Sequence, residues 1–187
     1  MLSAVRAVRG GDPDAFGRLV EIYQRRVFGL TLMMVRQPTG AEEVTQDAFV
    51  LAFKHLDRFD ECRPFYPWLA TIAVRLAQTW LRRHARVTTR EGTALDPVHE
   101  PVATTVDPLR QLITDESSRR LWRSVAALPS GERTAVFLYY RQEMKVNDIA
   151  SVLGVSSGTV KTLLFRARRR LRRTVKRNER SASEGLT

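Results

Sequence analysis

The sequence predicts an all-α protein of two small helical domains joined by a flexible linker, the second domain a helix-turn-helix. Three observations carry this. Apolar residues recur at three- and four-residue spacing in both halves, and no segment alternates with period two for long. A Pro- and Thr-containing acidic stretch separates the halves. Near the C-terminus, Ala150, Gly154 and Val160 stand at the Ala-x3-Gly-x5-Val spacing of a helix-turn-helix.

Taken in order, Gly10-Gly11-Asp12-Pro13-Asp14 reads as a turn and helix start. Phe16, Leu19, Val20, Tyr23, Val27, Leu30 and Met34 then mark the inner face of a long helix, which Gln37-Pro38-Thr39-Gly40 is expected to stop. A second helix turns Val44, Ala48, Phe49, Ala52, Phe53 and Leu56 inward and shows Glu42, Glu43, Gln46, Asp47 and Lys54 outward. Residues 60–67 read as a loop, and a third helix runs from about Trp68 to Arg83. The first domain is expected to span 1–86 and the linker 87–113, where Pro97, Pro101 and Pro108 interrupt the chain. From Glu91 to Glu116 there are six acids and one arginine, so this linker is acidic within a basic protein. The second domain is expected at 114–177, with Leu121, Val125 and Leu128 marking one helix and Val136–Tyr140 filling the next. Residues 178–187 read as a disordered polar tail.

In the helix-turn-helix, Ile149, Ala150 and Leu153 face inward and Gly154 supplies the left-handed residue of a sharp helix end. Val155 plugs the corner, Ser156 or Ser157 caps the next helix, and Val160, Leu163 and Leu164 return to the core. That leaves Ser157, Thr159, Lys161, Thr162, Phe165, Arg166, Arg168 and Arg169 to face outward. Hydroxyls and Lys161 at the front of such a helix reach base edges or phosphates in a major groove, and the arginines behind clamp phosphates. The alternatives are a solvated basic face, an RNA-binding helix or a membrane-surface helix.

The totals agree with a polyanionic partner. The 187 residues carry 31 Lys and Arg against 20 Asp and Glu, a net +11. Cys62 is the single cysteine, which excludes an intramolecular disulfide and fits a reducing compartment. MLSAVRAVRGGD has no long apolar run, so neither a leader nor membrane insertion is expected, and the protein is expected in the cytoplasm. An enzyme is disfavoured: His55, His84 and His99 are scattered, and there is no Gly-rich phosphate loop or nucleophile elbow. No catalytic residue, metal, cofactor or small-molecule substrate is therefore expected.

Three sets of residues resemble one family, the extracytoplasmic-function (group IV) sigma factors of bacterial RNA polymerase. Ala41–Phe49 followed by His55-Leu56-Asp57-Arg58-Phe59 is similar to the family's polymerase-binding helix. Pro67–Ala73 with Leu81-Arg82-Arg83 is similar to its promoter-melting helix. Leu128-Pro129, Asp148-Ile149-Ala150, Leu153-Gly154, Gly158–Lys161 and Arg166-Ala167-Arg168 are similar to its upstream-element reader.

The resemblance implies a factor that binds core polymerase, at the clamp coiled-coil of the largest subunit and at the flap, and directs initiation at promoter DNA. Glu43, Gln46 and Asp47 are the implied clamp contacts. Phe65 and Tyr66 in the loop, with Arg75, Thr79, Arg82, Arg83 and Arg86 behind it, are the implied contacts to the −10 element, where bases leave the stack. The outward helix-turn-helix residues would read the −35 element, and an anti-sigma factor is the implied regulator. The linker fits too. Some 27 residues reach at most roughly 90–100 Å, and about 17 base pairs span roughly 60 Å. The sequence departs from the family's habit at Arg75 (commonly Asn), Thr79 (an acid), Lys145 (Ser or Thr) and Leu163 (often Arg). The alternative is a stand-alone helix-turn-helix regulator that needs no polymerase.

Overall fold

The computed structural model describes residues 1–90 and 116–184, with side chains over 1–85 and 120–174. These residues are helical, in two compact units.

The first unit contains α1 (Leu2–Arg9), α2 (Ala15–Val35), α3 (Pro38–Lys54), a 3-10 turn (Leu56–Arg58) and α4 (Phe65–Arg90). Helices α2, α3 and α4 pack on one another around Leu19, Val27, Leu30, Val44, Ala48, Leu69 and Val74, all buried. Burying each large aliphatic side chain contributes about 1.5–3 kcal/mol. An aromatic cluster closes one end: Phe65 lies 5.1 Å from Phe59, 5.3 Å from Tyr23 and 5.4 Å from Trp68. Buried hydroxyls between α2 and α3 satisfy each other, with Thr31 and Thr45 meeting at 2.9 Å and Thr45 donating to the Ala41 carbonyl.

Several expectations are corrected here. The long helix does end just before Gln37, but Pro38–Gly40 already belong to α3, with Pro38 its first residue, where the missing N–H costs nothing. The preceding helix ends at Arg36, which takes the left-handed conformation (φ 65°). Phe53, expected inward, is 42% exposed. Helix α4 starts at Phe65 rather than Trp68 and runs past residue 86 to Arg90, since no Gly or Pro follows until Gly92. Helix α1 was not anticipated. Its Arg9 donates to the carbonyls of Leu56, Asp57 and Phe59 and, with Arg6, pairs with Glu61 at 2.8 Å. The hydrogen bond from Arg6 is the largest effect and, with the charges of both arginines and the hydrogen bond from Arg9, holds the Glu61 carboxyl below its usual range, although burial opposes them.

The second unit contains α5 (Glu116–Ala126), α6 (Ser130–Val136), a π-helical turn (Phe137–Arg141), α7 (Val146–Leu153) and α8 (Ser157–Glu184). Val125, Leu128, Phe137, Leu138, Val160, Leu164 and Ala167 are buried, and Trp122 meets Phe137 edge-on at 5.9 Å. Leu121, expected inward, is 47% exposed. Two buried charges are held: Arg133 donates to the Ala126 and Leu128 carbonyls, and Glu132 forms an ion pair with Arg170, its Oε1 accepting from Arg170 Nε at 3.3 Å. Helix α8 continues beyond Asn178, into the expected tail, as far as Glu184, because Arg, Lys, Glu and Ala support a helix until Gly185. The linker expected at 87–113 lies, past Arg90, outside the described residues, as do residues 185–187.

Candidate polymerase and nucleic-acid interfaces

Three helix faces collect the candidate residues. The first is on α3. Glu43, Gln46 and Asp47 are exposed, opposite the buried Ala41, Val44, Thr45 and Ala48. One and two turns on, Val50 (53% exposed) and Phe53 extend the same stripe, so the face is anionic at one end and apolar at the other. Val50 and Phe53 were missed, although their spacing from Glu43 and Gln46 was the available signal; Phe53 was assigned to the core on its apolar character alone. Glu43 is not free on this face. The indole Nε1 of Trp80, on α4, donates to its Oε2 at 2.9 Å.

The second face is on α4. Arg75, Arg82 and Arg83 are exposed and Thr79 is half-buried. The Thr79 hydroxyl donates to the Arg75 carbonyl at 3.0 Å and accepts from Arg82 Nη2 at 3.0 Å, tying consecutive turns into one polar row. Arg86 continues the row in sequence, but its side chain lies outside the described residues. Phe65 and Tyr66 do not belong to this face. They open α4 instead of lining a loop, and they are 1% and 4% exposed. Phe65 is walled in by Phe59 and Trp68, and Tyr66 stacks on Tyr23 at 5.9 Å with the Arg26 guanidinium 3.9 Å above its ring. Neither ring is placed to receive a base, and the exposed loop residues are Asp60, Cys62, Arg63 and Pro64. Burial raises the Tyr66 phenol above its ordinary range, with the nearby Arg26 charge pulling the other way.

The third face is α8. Gly154 has φ +67°, the left-handed residue at the end of α7. Ser156 is the cap, its Oγ accepting from the Thr159 N–H at 3.1 Å. Val155 does not plug the corner; it is 38% exposed. Ser157, Thr159, Lys161, Thr162, Phe165, Arg166, Arg168 and Arg169 are all exposed, opposite the buried Val160, Leu164 and Ala167. Phe165 is 64% exposed, a large apolar ring standing among cations. Leu163 is half-buried, its side chain in van der Waals reach of the space above Gly131 on α6. Arg168 is preset: its Nε donates to the Tyr140 hydroxyl at 2.8 Å, and its guanidinium lies over both Tyr139 and Tyr140. The π-helical turn that carries Tyr140 was not visible in the apolar periodicity.

Residues 19–87 match the family described as Sigma-70 region 2, and residues 118–171 match Sigma-70, region 4. The ECF RNA polymerase sigma factor SigW of Bacillus subtilis is 31% identical over 179 residues, covering 92% of this chain and 95% of that one. The chain belongs to the extracytoplasmic-function sigma factors of RNA polymerase. The RNA polymerase sigma-H factor of Pseudomonas aeruginosa is 32% identical, covering 88% of each chain. In the co-crystal structure of the sigma factor RpoE with the anti-sigma factor NepR from Bartonella quintana, the sigma factor has the same fold, with a TM-score of 0.69 at 20% identity over 86% of this chain and 96% of that one. As a sigma factor, the protein binds core polymerase and directs promoter-specific initiation. A stand-alone regulator would leave the region 2 match unaccounted for. Among the described residues no helix is long and apolar enough to cross a membrane.

Proposed function

We propose a division of labour among the three faces. The α3 face docks on the clamp coiled-coil of the largest polymerase subunit through Glu43, Gln46 and Asp47, with Val50 and Phe53 supplying apolar area beside the charges. The α4 row of Arg75, Thr79, Arg82, Arg83 and Arg86 holds the backbone of the −10 element as it opens. Phe65 and Tyr66 act from beneath, as the packed floor of that helix. The α8 face enters the major groove at the −35 element, Ser157, Thr159, Lys161 and Thr162 near base edges and Phe165, Arg166, Arg168 and Arg169 along the backbone. The second unit also meets the flap. The factor itself catalyses nothing; it works in the cytoplasm, on the nucleoid when bound to polymerase. Its regulator is an anti-sigma protein of the class bound in the solved relative.

The observation that carries this reading is the sign of the faces: α4 and α8 present arginines to solvent, while α3 presents carboxylates next to exposed apolar side chains. Opposite signs on one chain serve two partners, a polyanion and a basic protein surface. In vitro transcription with core polymerase on the promoter of its own gene tests it. The full chain should direct initiation, and reversing Glu43 and Asp47 to lysine should abolish it through lost polymerase affinity while the protein still binds the upstream duplex. Unchanged polymerase affinity in that variant would count against the docking face.

A further inference from the structure

We propose that Trp80 is a positioning residue for polymerase docking, its indole N–H fixing the Glu43 carboxylate on the α3 face; this rests on the docking reading above. Three observations converge on Trp80. Its Nε1 donates to Glu43 Oε2 at 2.9 Å across 37 residues of sequence. Its ring fills the space over Gly40, where an added Cβ would lie 2.4 Å from Cζ2, so glycine at that position is what lets the indole reach α3. His84 stacks on the ring at 3.5 Å between centroids, with its Nδ1 3.0 Å from the Trp80 carbonyl oxygen. Trp80 is 8% exposed, whereas Glu43 is exposed.

The chemistry suits a carboxylate that must meet a cationic partner. An unheld glutamate on a helix surface samples several rotamers and loses that freedom on docking. The indole removes the freedom in advance. A lysine or arginine in its place would do so too, but would also cancel the charge. A neutral donor engages one oxygen and leaves the negative charge for the partner. Gly40 and Glu43, three residues apart, sit one above the other on α3, so a single ring covers the first and orients the second.

The test measures equilibrium affinity of the full chain for bacterial core RNA polymerase. Trp80→Phe keeps a ring beside Gly40 and His84 and removes the donor; it should weaken binding about three- to tenfold. Glu43→Asp keeps the charge, shortens the reach and leaves the interior untouched; it should lose a similar factor. In a Glu43→Ala background, Trp80→Phe should add no further loss. Affinity for an upstream-element duplex should not change in any variant. The proposal is overturned if Glu43→Asp binds as the native protein does, or if Trp80→Phe costs the same factor with and without Glu43, which would make Trp80 a packing residue only. If lysines at 43 and 47 leave the affinity unchanged, the docking face itself falls and this inference with it.

Discussion

On the proposed −35 face, Arg168 is held by a neighbour in the free protein. A free arginine loses rotamer entropy on binding, but here the Tyr140 hydroxyl already holds the Nε of this exposed side chain. Tyr140→Phe should therefore weaken −35 binding about two- to fivefold and leave the salt dependence intact, because no charge is lost. Lys161→Ala and Arg166→Ala should instead flatten the plot of log affinity against log salt, by about 1 in slope each. Anisotropy titrations across a potassium chloride series separate the two behaviours; a Tyr140→Phe curve as flat as that of Arg166→Ala would mean the tyrosine controls a phosphate contact outright. Tyr66 makes a different prediction. Its hydroxyl is buried beside the Arg26 guanidinium, and burial makes its phenol resist ionisation in the fold. The unfolded chain ionises it near its ordinary value of 10.0. Above that pH the native state holds a proton that the unfolded state has lost, so stability falls as pH rises. The loss approaches about 1.4 kcal/mol per pH unit for one such group. Urea unfolding from about pH 9 to about pH 11 should show it, and Tyr66→Phe should reduce the slope, leaving the part due to Tyr23, whose phenol is also raised by burial.

At the scale of elements, α4 carries two duties on opposite sides: a row of arginines outward, and Phe65, Leu69, Ala73, Ala77 and Trp80 inward against α2 and α3. The Gly40–Trp80 contact is where α3 and α4 come closest to intolerance. Gly40→Ala should destabilise the first unit by about 1–3 kcal/mol, seen as a lower urea midpoint with an unchanged slope. Adding Trp80→Phe should recover part of that loss, since the clashing atoms belong to the larger indole; simple additivity would contradict the contact. The same helix shows what was legible in sequence. Its existence and the exposed α8 residues followed from periodicity and charge, and its outer row of arginines from the family resemblance. The placement of Phe65 and Tyr66 did not, because Pro64 and Pro67 read as a loop, whereas Pro67 is accommodated in the first turn of α4. Extending the inward stripe backward, Trp80, Ala77, Ala73, Leu69, Phe65, would have reached them. Helix α1 was missed for another reason: its order depends on Arg9 and Arg6 reaching residues 56–61, and such long-range bonds leave no local pattern. The Trp80–Glu43 bond was hidden in the same way, each partner reading as an ordinary member of its own helix.

For the whole molecule the question is what sets the distance between the two promoter elements. Each unit has its own buried core, and the chain between Arg90 and Glu116 joins them. Covalent reach alone is permissive: at most about 3.3–3.6 Å per residue, those residues span more than the promoter requires. A tether of that length would let the protein follow its elements if they were moved apart. A sigma factor docked on polymerase at α3, as proposed above, would be held to one geometry. Inserting five base pairs between the −35 and −10 elements shifts them by about 17 Å and turns one to the other side of the duplex, since the helix repeats about every 10–10.5 pairs. With core polymerase, initiation on that template should drop at least about tenfold, a barrier difference of only about 1.4 kcal/mol. The free protein should bind the isolated −35 duplex as before, and inserting ten pairs should restore helical phase without restoring the distance. Templates that fire equally well at all three spacings would show the tether, not the polymerase, to be the ruler. That result would also remove the reason for an anionic face on α3, because nothing would then need to hold the first unit in place.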